Sequence, residues 1–180
     1  MTKIRAYRDS DATSWLRCRL LSFFPTEYYD DVVVTRPTFE NPAHRLVAVD
    51  NDTVVGLMDV ELFADRATID VLAIHPDHQR RGLATRLLEA AVPRLQVDVL
   101  DAWTRGDAAA NEWYQRSGFT GNFRYLHVYK SWRDDSTGFE APEGVDRVVN
   151  AFMHAPLSAE GAMRERFGRV HVCRQYVRKL

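Results

Sequence analysis

The sequence predicts a single α/β (α+β) domain in which a mixed central sheet of about seven strands is flanked by helices. Three observations support this prediction. The chain has 180 residues, of which 46% are hydrophobic, enough for one domain around one core. Apolar residues alternate over strand-length stretches and recur elsewhere at helical spacing. Near the middle of the chain, a strand, a glycine turn, a helix and another strand follow one another as a βαβ unit. Because the chain has no repeats and no low-complexity linker, residues 1–180 are expected to form one domain.

The elements before this unit are predicted from alternation and from turn residues. Asp50, Asn51 and Asp52 separate two alternating runs and indicate a hairpin. The first helix carries apolar residues from Trp15 to Leu21 and should end at Pro25. Strands are expected over residues 2–7, 45–49, 53–62 and 67–74, with the helix capped by Asp9 or Asp11.

The turn after the strand Ala67–Ile74 has the features of a phosphate-binding site. The first turn of a helix has backbone N–H groups without intrahelical partners and carries the positive end of the helix dipole. Gly82 would let a pyrophosphate approach the backbone, and Arg80 and Arg81 add charged, fork-shaped donors. The three spaced glycines of a dinucleotide fingerprint and the Gly-Lys-Ser/Thr ending of a P-loop are both missing. The following helix should bury a stripe from Leu83 to Ala91 and stop at Pro93; the next strand is expected over residues 95–102.

A second informative segment lies downstream. Asp107 can cap a helix, and Gly118 stands where a left-handed residue would end it. Asn111 and Tyr114 are three residues apart and therefore share one face of this helix.

Together, the spacings Q-x-x-G-x-A at Gln79 and N-x-x-Y-x-x-x-G-F at Asn111 resemble the GNAT superfamily of N-acetyltransferases. The resemblance is specific between about residues 53 and 119. It implies the GNAT fold and acetyl-CoA as cosubstrate, with backbone groups of Leu72 and Ile74 at the thioester and Asn111 near the pantetheine arm. The residues that it assigns to the coenzyme are Leu72, Ile74, Gln79, Arg80, Arg81, Gly82, Leu83, Ala84, Thr85, Asn111 and Tyr114.

Acetyl transfer to an amine needs a base for the amine and a proton for the leaving thiolate. The resemblance assigns the proton donor to Tyr114, and some GNAT members carry an acidic base at the position of Asp70. Glu61 is the reserve candidate, and Asp59 shares its strand face. If residue 59 pairs with residue 70, the two carboxylates would face each other, and their repulsion would raise the pKa of one of them. A slip of one residue in the register would place Asp59 on the opposite face of the sheet.

The acceptor is expected to be a primary amine on a small molecule, an antibiotic-like compound or a peptide N-terminus. An amine is a cation at neutral pH, and negatively charged side chains would attract it. Five acidic residues could supply this charge: Glu27, Asp30, Asp31, Asp59 and Glu61. Two alternatives stay open: a GNAT-fold acyl-CoA-binding regulator without turnover, and an unrelated α/β interaction domain.

Composition bears on partners and location. The formal net charge of −1 gives no basic field for nucleic acid, and no apolar run approaches about 20 residues. Cys18 and Cys173 fit no metal spacing and are expected to be buried thiols, and a metal at His75, Asp77 and His78 is not expected. The sequence therefore favours a cytoplasmic protein with no metal, nucleic-acid or membrane partner.

An insert at about residues 133–167 lies between the expected strands 123–132 and 169–177. Its apolar residues Val145, Val148, Val149, Phe152 and Met153 have helical spacing, which predicts a helix from Glu143 to His154. This helix is expected to cover the sheet edge; a lid on the acceptor cleft and a homodimer contact are the alternatives.

Overall fold

One mixed sheet organises the computed structural model, which describes residues 2–30 and 32–180. The order of its eight described strands is β1-β2-β3-β4-β5-β8-β6-β7, and only β4 and β5 pair in parallel among the described pairings. This confirms the predicted α/β class, with one strand more than expected. The strands are β1 (Lys3–Ala6), β2 (Ala43–Asp50), β3 (Thr53–Leu62), β4 (Ala67–Ile74), β5 (Val99–Thr104), β6 (Thr120–Lys130), β7 (Ala151–Pro156) and β8 (Arg169–Lys179). The helices are α1 (Ala12–Phe23), α2 (Leu83–Ala91), α3 (Ala108–Arg116) and α4 (Glu160–Arg166).

Two cores lie on opposite faces of the sheet. On one face, α1 packs Trp15 and Cys18 against β2, β3 and β4. On the other face, α2 buries the stripe that its sequence predicts: Leu83, Leu87, Leu88 and Ala91. None of the helices in the described ranges is both long and apolar enough to cross a membrane.

The insert contains a strand where the sequence predicts a helix. The predicted helix Glu143–His154 is wrong, because residues 145–150 are irregular and Ala151–Pro156 forms β7, antiparallel to β6. Along β7, half-buried residues alternate with exposed ones, and Met153 packs on the core beneath β6. Over so short a stretch, the spacing of the apolar residues is compatible with both the helical and the strand period. The edge of β6 offers unpaired backbone hydrogen-bonding groups, and pairing with them favours the strand. The one α-helix in the insert is α4, which follows a short 3-10 turn at Leu157–Ala159.

A β-bulge at Asp70 sets the register between β3 and β4. Asp59 pairs with Val71 and Val60 pairs with Ile69, so Asp70 has no partner on β3. The expected pairing of residue 59 with residue 70 is therefore wrong by one residue. The extra residue also exchanges the faces of the strand: Ile69 belongs to the α2-side core, whereas Val71 belongs to the α1-side core.

The parallel strands β4 and β5 separate soon after they meet. Their pairing covers only Ala67, Thr68 and Ile69 of β4, yet β4 continues to Ile74. Its backbone from Asp70 onward therefore has no partner on the β5 side among the described residues. A cleft opens between the two strands at this point.

Candidate active site

The main cleft has a volume of about 950 Å³ and lies where β4 and β5 separate. Its walls are β4, the turn before α2, the first turns of α2, one face of α3, and the end of α1. The structure brings most of the predicted site residues into this lining: Asp70, Leu72, Ile74, Gln79, Arg80, Gly82, Leu83, Ala84, Thr85 and Tyr114.

The turn before α2 is shaped for close approach of a ligand. Gly82 has a left-handed φ of 74°, and Arg80 has a φ of 58°. A Cβ atom built on Gly82 would meet nothing within 4 Å, so the space above the turn is open to the cleft. Among the residues that the structure describes, no side chain caps the start of α2. Its first N–H groups are therefore available to an anion, and a pyrophosphate fits this donor set.

Arg81 and Arg80 differ in position. The Nη2 of Arg81 donates to the carbonyl oxygen of Asp77 at 2.7 Å, and Arg81 is outside the cleft lining, whereas Arg80 is part of it. The side chain of Gln79 donates to the carbonyl oxygen of Ile74 at 3.2 Å. Gln79 therefore ties the turn to the end of β4.

Tyr114 projects from α3 into the lining of the cleft, although only 6% of its surface is exposed. Its ring is stacked on Tyr176, with centroids 5.3 Å apart, and meets the edge of Phe119. Burial raises the pKa of Tyr114, so the phenol stays protonated in the neutral range. Its hydroxyl has no hydrogen-bond partner among the described residues, which leaves its proton available within the cleft.

The side chain of Asn111 forms hydrogen bonds within the protein. Its Nδ2 donates to the carbonyl oxygens of Arg105 and Asp107 at 2.7 and 2.6 Å. Its Oδ1 accepts a hydrogen bond from the hydroxyl of Tyr176 at 2.9 Å. Asn111 lies outside the cleft lining, and these bonds join the loop after β5 to α3 and β8.

The three acidic candidates on β3 and β4 have different surroundings. Both oxygens of Asp59 accept from Nη2 of Arg36, at 2.9 and 3.1 Å, and Asp59 is buried. Glu61 accepts from the backbone and the side chain of Asn41. Both lie outside the cleft lining. Asp70, in contrast, lines the cleft and has neither a hydrogen bond nor an ion pair among the described residues.

The pKa of Asp70 is raised from its ordinary value. The main cause is partial desolvation of a side chain that still has an exposed surface; Arg19 opposes the rise and Glu61 adds to it. A raised pKa makes the carboxylate a stronger base. Asp70 is therefore the acidic candidate that the bulge brings into the cleft.

Two acids of the segment after α1 contact basic side chains of β8. Asp30 forms an ion pair with Arg169 at 2.6 Å, and Glu27 lies 3.1 Å from Nδ1 of His171. The fifth acid of the expected cation-attracting set, Asp31, lies outside the described residues. Arg105, just after β5, donates to the carbonyl oxygen of Glu27 and was not among the predicted site residues. No local pattern marks it, because its partners come from distant parts of the chain.

A second cavity of about 470 Å³, here called the aromatic cavity, adjoins the main cleft. Tyr28 and Trp103 line both spaces. The remaining lining comes from the loop after α1, the end of β5, and strands β6, β7 and β8: Asp30, Arg105, Tyr125, His127, Tyr129, Phe152 and Cys173.

His127 is held neutral in this cavity. Burial lowers its pKa to about 4, and the charges of Arg105, His154 and His171 act in the same direction. The Nε of Arg105 donates to Nδ1 of His127 at 3.2 Å, so the ring proton is on Nε2, 2.8 Å from the hydroxyl of Tyr125. Protonation of Nδ1 would break the bond to Arg105.

This shift predicts a loss of stability in mild acid. The folded-state pKa of His127 is below the ordinary value of 6.5, so the unfolded chain binds the proton first. Stability should therefore fall as the pH drops from about 6.5 toward about 4. Melting temperatures measured between pH 7 and pH 5 should decrease, and His127→Gln should show a shallower decrease. An equal slope in the variant would contradict this assignment; His171, whose pKa is also lowered, would sustain a remaining slope.

Metal ligands are not clustered in the part of the chain that the structure describes: no three His, Cys, Asp or Glu side chains could together hold a metal ion. Cys18 and Cys173 are buried free thiols.

Comparison with known sequences identifies relatives among acetyltransferases. Residues 41–121 match the model of the GNAT acetyltransferase domain. The mycothiol acetyltransferase of Pseudarthrobacter chlorophenolicus is 27% identical over 136 residues, which cover 64% of this chain and 40% of that protein. N-alpha-acetyltransferase 30 of Schizosaccharomyces pombe is 27% identical over 132 residues, which cover 68% of this chain and 85% of that protein. The chain thus spans less than half the length of the first relative.

Solved structures share the fold. The ribosomal-protein-S18-alanine N-acetyltransferase of Escherichia coli has a TM-score of 0.62 at 16% identity, over 99% of this chain and 94% of that one. The PaiA N-acetyltransferase of Thermoplasma acidophilum, solved in complex with coenzyme A, has a TM-score of 0.59 at 14% identity, over 87% and 99%. At these identities the likeness shows a common architecture.

Proposed function

Because this chain belongs to the GNAT superfamily of acetyltransferases, we propose that it transfers an acetyl group from acetyl-CoA to a primary amine by direct attack. The observation that carries the proposal is that one cleft is lined by both a carboxylate and a protonated phenol. The carboxylate is Asp70, which has no hydrogen bond or ion pair among the described residues, and the phenol is Tyr114.

In this proposal the coenzyme lies along the elements that leave backbone groups unpaired. The turn at Gln79–Ala84 and the start of α2, with Arg80, would hold the pyrophosphate. Leu72 and the N–H group of Ile74 would offer backbone groups to the acyl end, since β5 does not pair with them; the carbonyl oxygen of Ile74 is already bonded to Gln79. Arg81 and Asn111 would contribute by supporting the turn and the α3 loop, because their own bonds are directed there.

Acetyl-CoA supplies the acetyl group as an activated thioester. Asp70 accepts a proton from the ammonium before attack, or from the amine nitrogen as its bond to the acetyl carbon forms and the C–S bond breaks, directly or through a water; its raised pKa suits that role. The hydroxyl of Tyr114 donates a proton to the departing thiolate. Asp70 thus removes a proton from the incoming amine, and Tyr114 supplies one to the departing thiolate.

The direct test is release of free thiol from acetyl-CoA with a panel of amines. The panel should include small amines, an aminoglycoside and a peptide with a free α-amino group, since the relatives' names indicate different acceptors. Thiol release that depends on one amine supports the proposal. Binding of acetyl-CoA without release for any amine favours the regulator, and failure of coenzyme A to raise the melting temperature contradicts binding at this site.

Asp70→Asn tests the base. The substitution keeps the shape of the side chain and removes its basicity, so activity should fall at least about tenfold at pH 7 and partly return at high pH, where the amine loses its proton unaided. Initial rates across pH 6 to 10 check this. Asp65→Asn is the matched control, because Asp65 is exposed in the β3–β4 turn and pairs with Arg66. An equal loss at every pH would give Asp70 an orienting role only, and loss in Glu61→Gln instead would move the base to β3.

The cytoplasmic location and the homodimer stay predictions from the sequence. Size-exclusion chromatography with light scattering would test the oligomeric state.

A further inference from the structure

The aromatic cavity is built from rings on one face of the sheet. β7 pairs with β6 so that Phe152 lies across from Tyr129 and His154 across from His127. The rings of Tyr129 and Phe152 are 4.8 Å apart, and the edge of His127 meets Phe152 at 5.0 Å. Trp103, from β5, meets the ring of Tyr125 at 5.4 Å. Three strands, β5, β6 and β7, thus supply a continuous aromatic wall.

The polar groups around this cavity already have partners. Asp30 is paired with Arg169, and Arg105 binds Glu27, His127 and Tyr129. The pKa of His127 is lowered, and burial raises the pKa of Cys173, so both are neutral at pH 7. The cavity therefore holds no unpaired carboxylate among the described residues, and it suits a flat apolar group better than a polycation.

The cavity is positioned to receive one end of an acceptor. Tyr28 and Trp103 form the boundary that it shares with the main cleft, which contains Asp70 and Tyr114. A molecule that reaches across this boundary would place one end among the rings and the other in the cleft. Phe152 is 53% exposed at the mouth of the cavity, so it can be changed without opening a hole in a core.

We propose that the aromatic cavity is the specificity pocket of the acetyl acceptor and that it selects amines that carry an aromatic ring. This inference rests on the proposed function, and it replaces attraction of a cation by stacking of a ring as the source of selectivity. The strand β7, from the insert, contributes Phe152 and thereby adapts the general fold to one class of amine.

The experiment compares two primary amines of similar length, phenylethylamine and hexylamine, with kcat/KM expressed per concentration of neutral amine because the aryl amine is the weaker base. The wild-type protein should acetylate phenylethylamine with a kcat/KM about five- to tenfold higher, the scale of a well-packed ring contact. Phe152→Ala should reduce this ratio about fivefold, mainly through KM. Trp132→Ala should keep the wild-type ratio, because Trp132 is an exposed aromatic residue just after β6, outside the cavity lining.

A second measurement does not need turnover. Saturation-transfer NMR of phenylethylamine with the protein alone should show contact at the ring protons, reduced in Phe152→Ala and retained in Trp132→Ala. A wild-type ratio near one, or ring contact unchanged in Phe152→Ala, would overturn the proposal. If no amine is acetylated but ring contact still depends on Phe152, the acetyltransferase function fails while the aromatic site stands.

Discussion

Replacement of Gly82 by aspartate is expected to abolish measurable binding of acetyl-CoA. Gly82 has a φ of 74° and immediately precedes α2, whose first N–H groups have no side-chain cap from the described part of the chain. A carboxylate at this position would occupy the open space above the turn and accept hydrogen bonds from the same N–H groups. It would also place a negative charge where the pyrophosphate is proposed to bind.

Calorimetric titration with acetyl-CoA measures this effect, and the affinity should fall by at least about a hundredfold, the combined scale of two lost charge-assisted hydrogen bonds. Gly138→Asp is the matched control. Gly138 has a φ of 80° and equally open surroundings, but it lies outside the main cleft. Both substitutions therefore carry similar backbone strain, and only the first should change binding. Unaltered affinity in Gly82→Asp would remove the proposed coenzyme site.

Replacement of Tyr114 by phenylalanine is expected to lower kcat about a hundredfold, within the range for a single general acid. Acetyl-CoA affinity should stay nearly constant, because the ring and its stacking on Tyr176 are kept. The hydroxyl has no hydrogen-bond partner among the described residues, so its removal should also leave the melting temperature almost unchanged. Pre-steady-state thiol release and thermal unfolding together check both expectations.

Tyr176→Phe supplies the opposite pattern as a control. The hydroxyl of Tyr176 donates to Asn111 and lies 3.4 Å from Nε2 of Gln115, so its loss should cost about 1 kcal/mol of stability. Its effect on kcat should be much smaller than that of Tyr114→Phe. A Tyr114→Phe variant with wild-type turnover would make Tyr114 a packing residue, and the proton donor would then be sought elsewhere in the cleft.

Much of the fold was predictable because its signals are local. The strands 53–62 and 67–74 have the bounds that their alternating residues predict, and α2 ends near Pro93 as expected. Asp107 caps α3 through the backbone N–H groups of Ala109 and Ala110. These patterns depend on residues only a few positions apart, so they can be recognised without knowledge of the rest of the chain.

The environments of the candidate acids were not predictable in the same way. From the sequence alone, Asp59, Glu61 and Asp70 are three similar carboxylates on neighbouring strands. Arg36 and Asn41, which neutralise or bind the first two, come from the irregular segment before β2, and no pattern relates their positions to those acids. Which carboxylate lacks a partner is a property of long-range packing.

Local patterns predict the α/β class, the glycine turn before α2 and the shared helix face of Asn111 and Tyr114, because glycine conformation, capping and periodicity act within a few residues. The bulge that turns Asp70 into the cleft and the strand β7 that adds Phe152 to an aromatic wall appear only in the three-dimensional structure. A one-residue change in register exchanges the faces of a strand. A short apolar run can form either a helix or a strand, and it forms a strand where a neighbouring strand offers an edge to pair with. Both outcomes depend on hydrogen-bonding edges and packing surfaces supplied by distant segments.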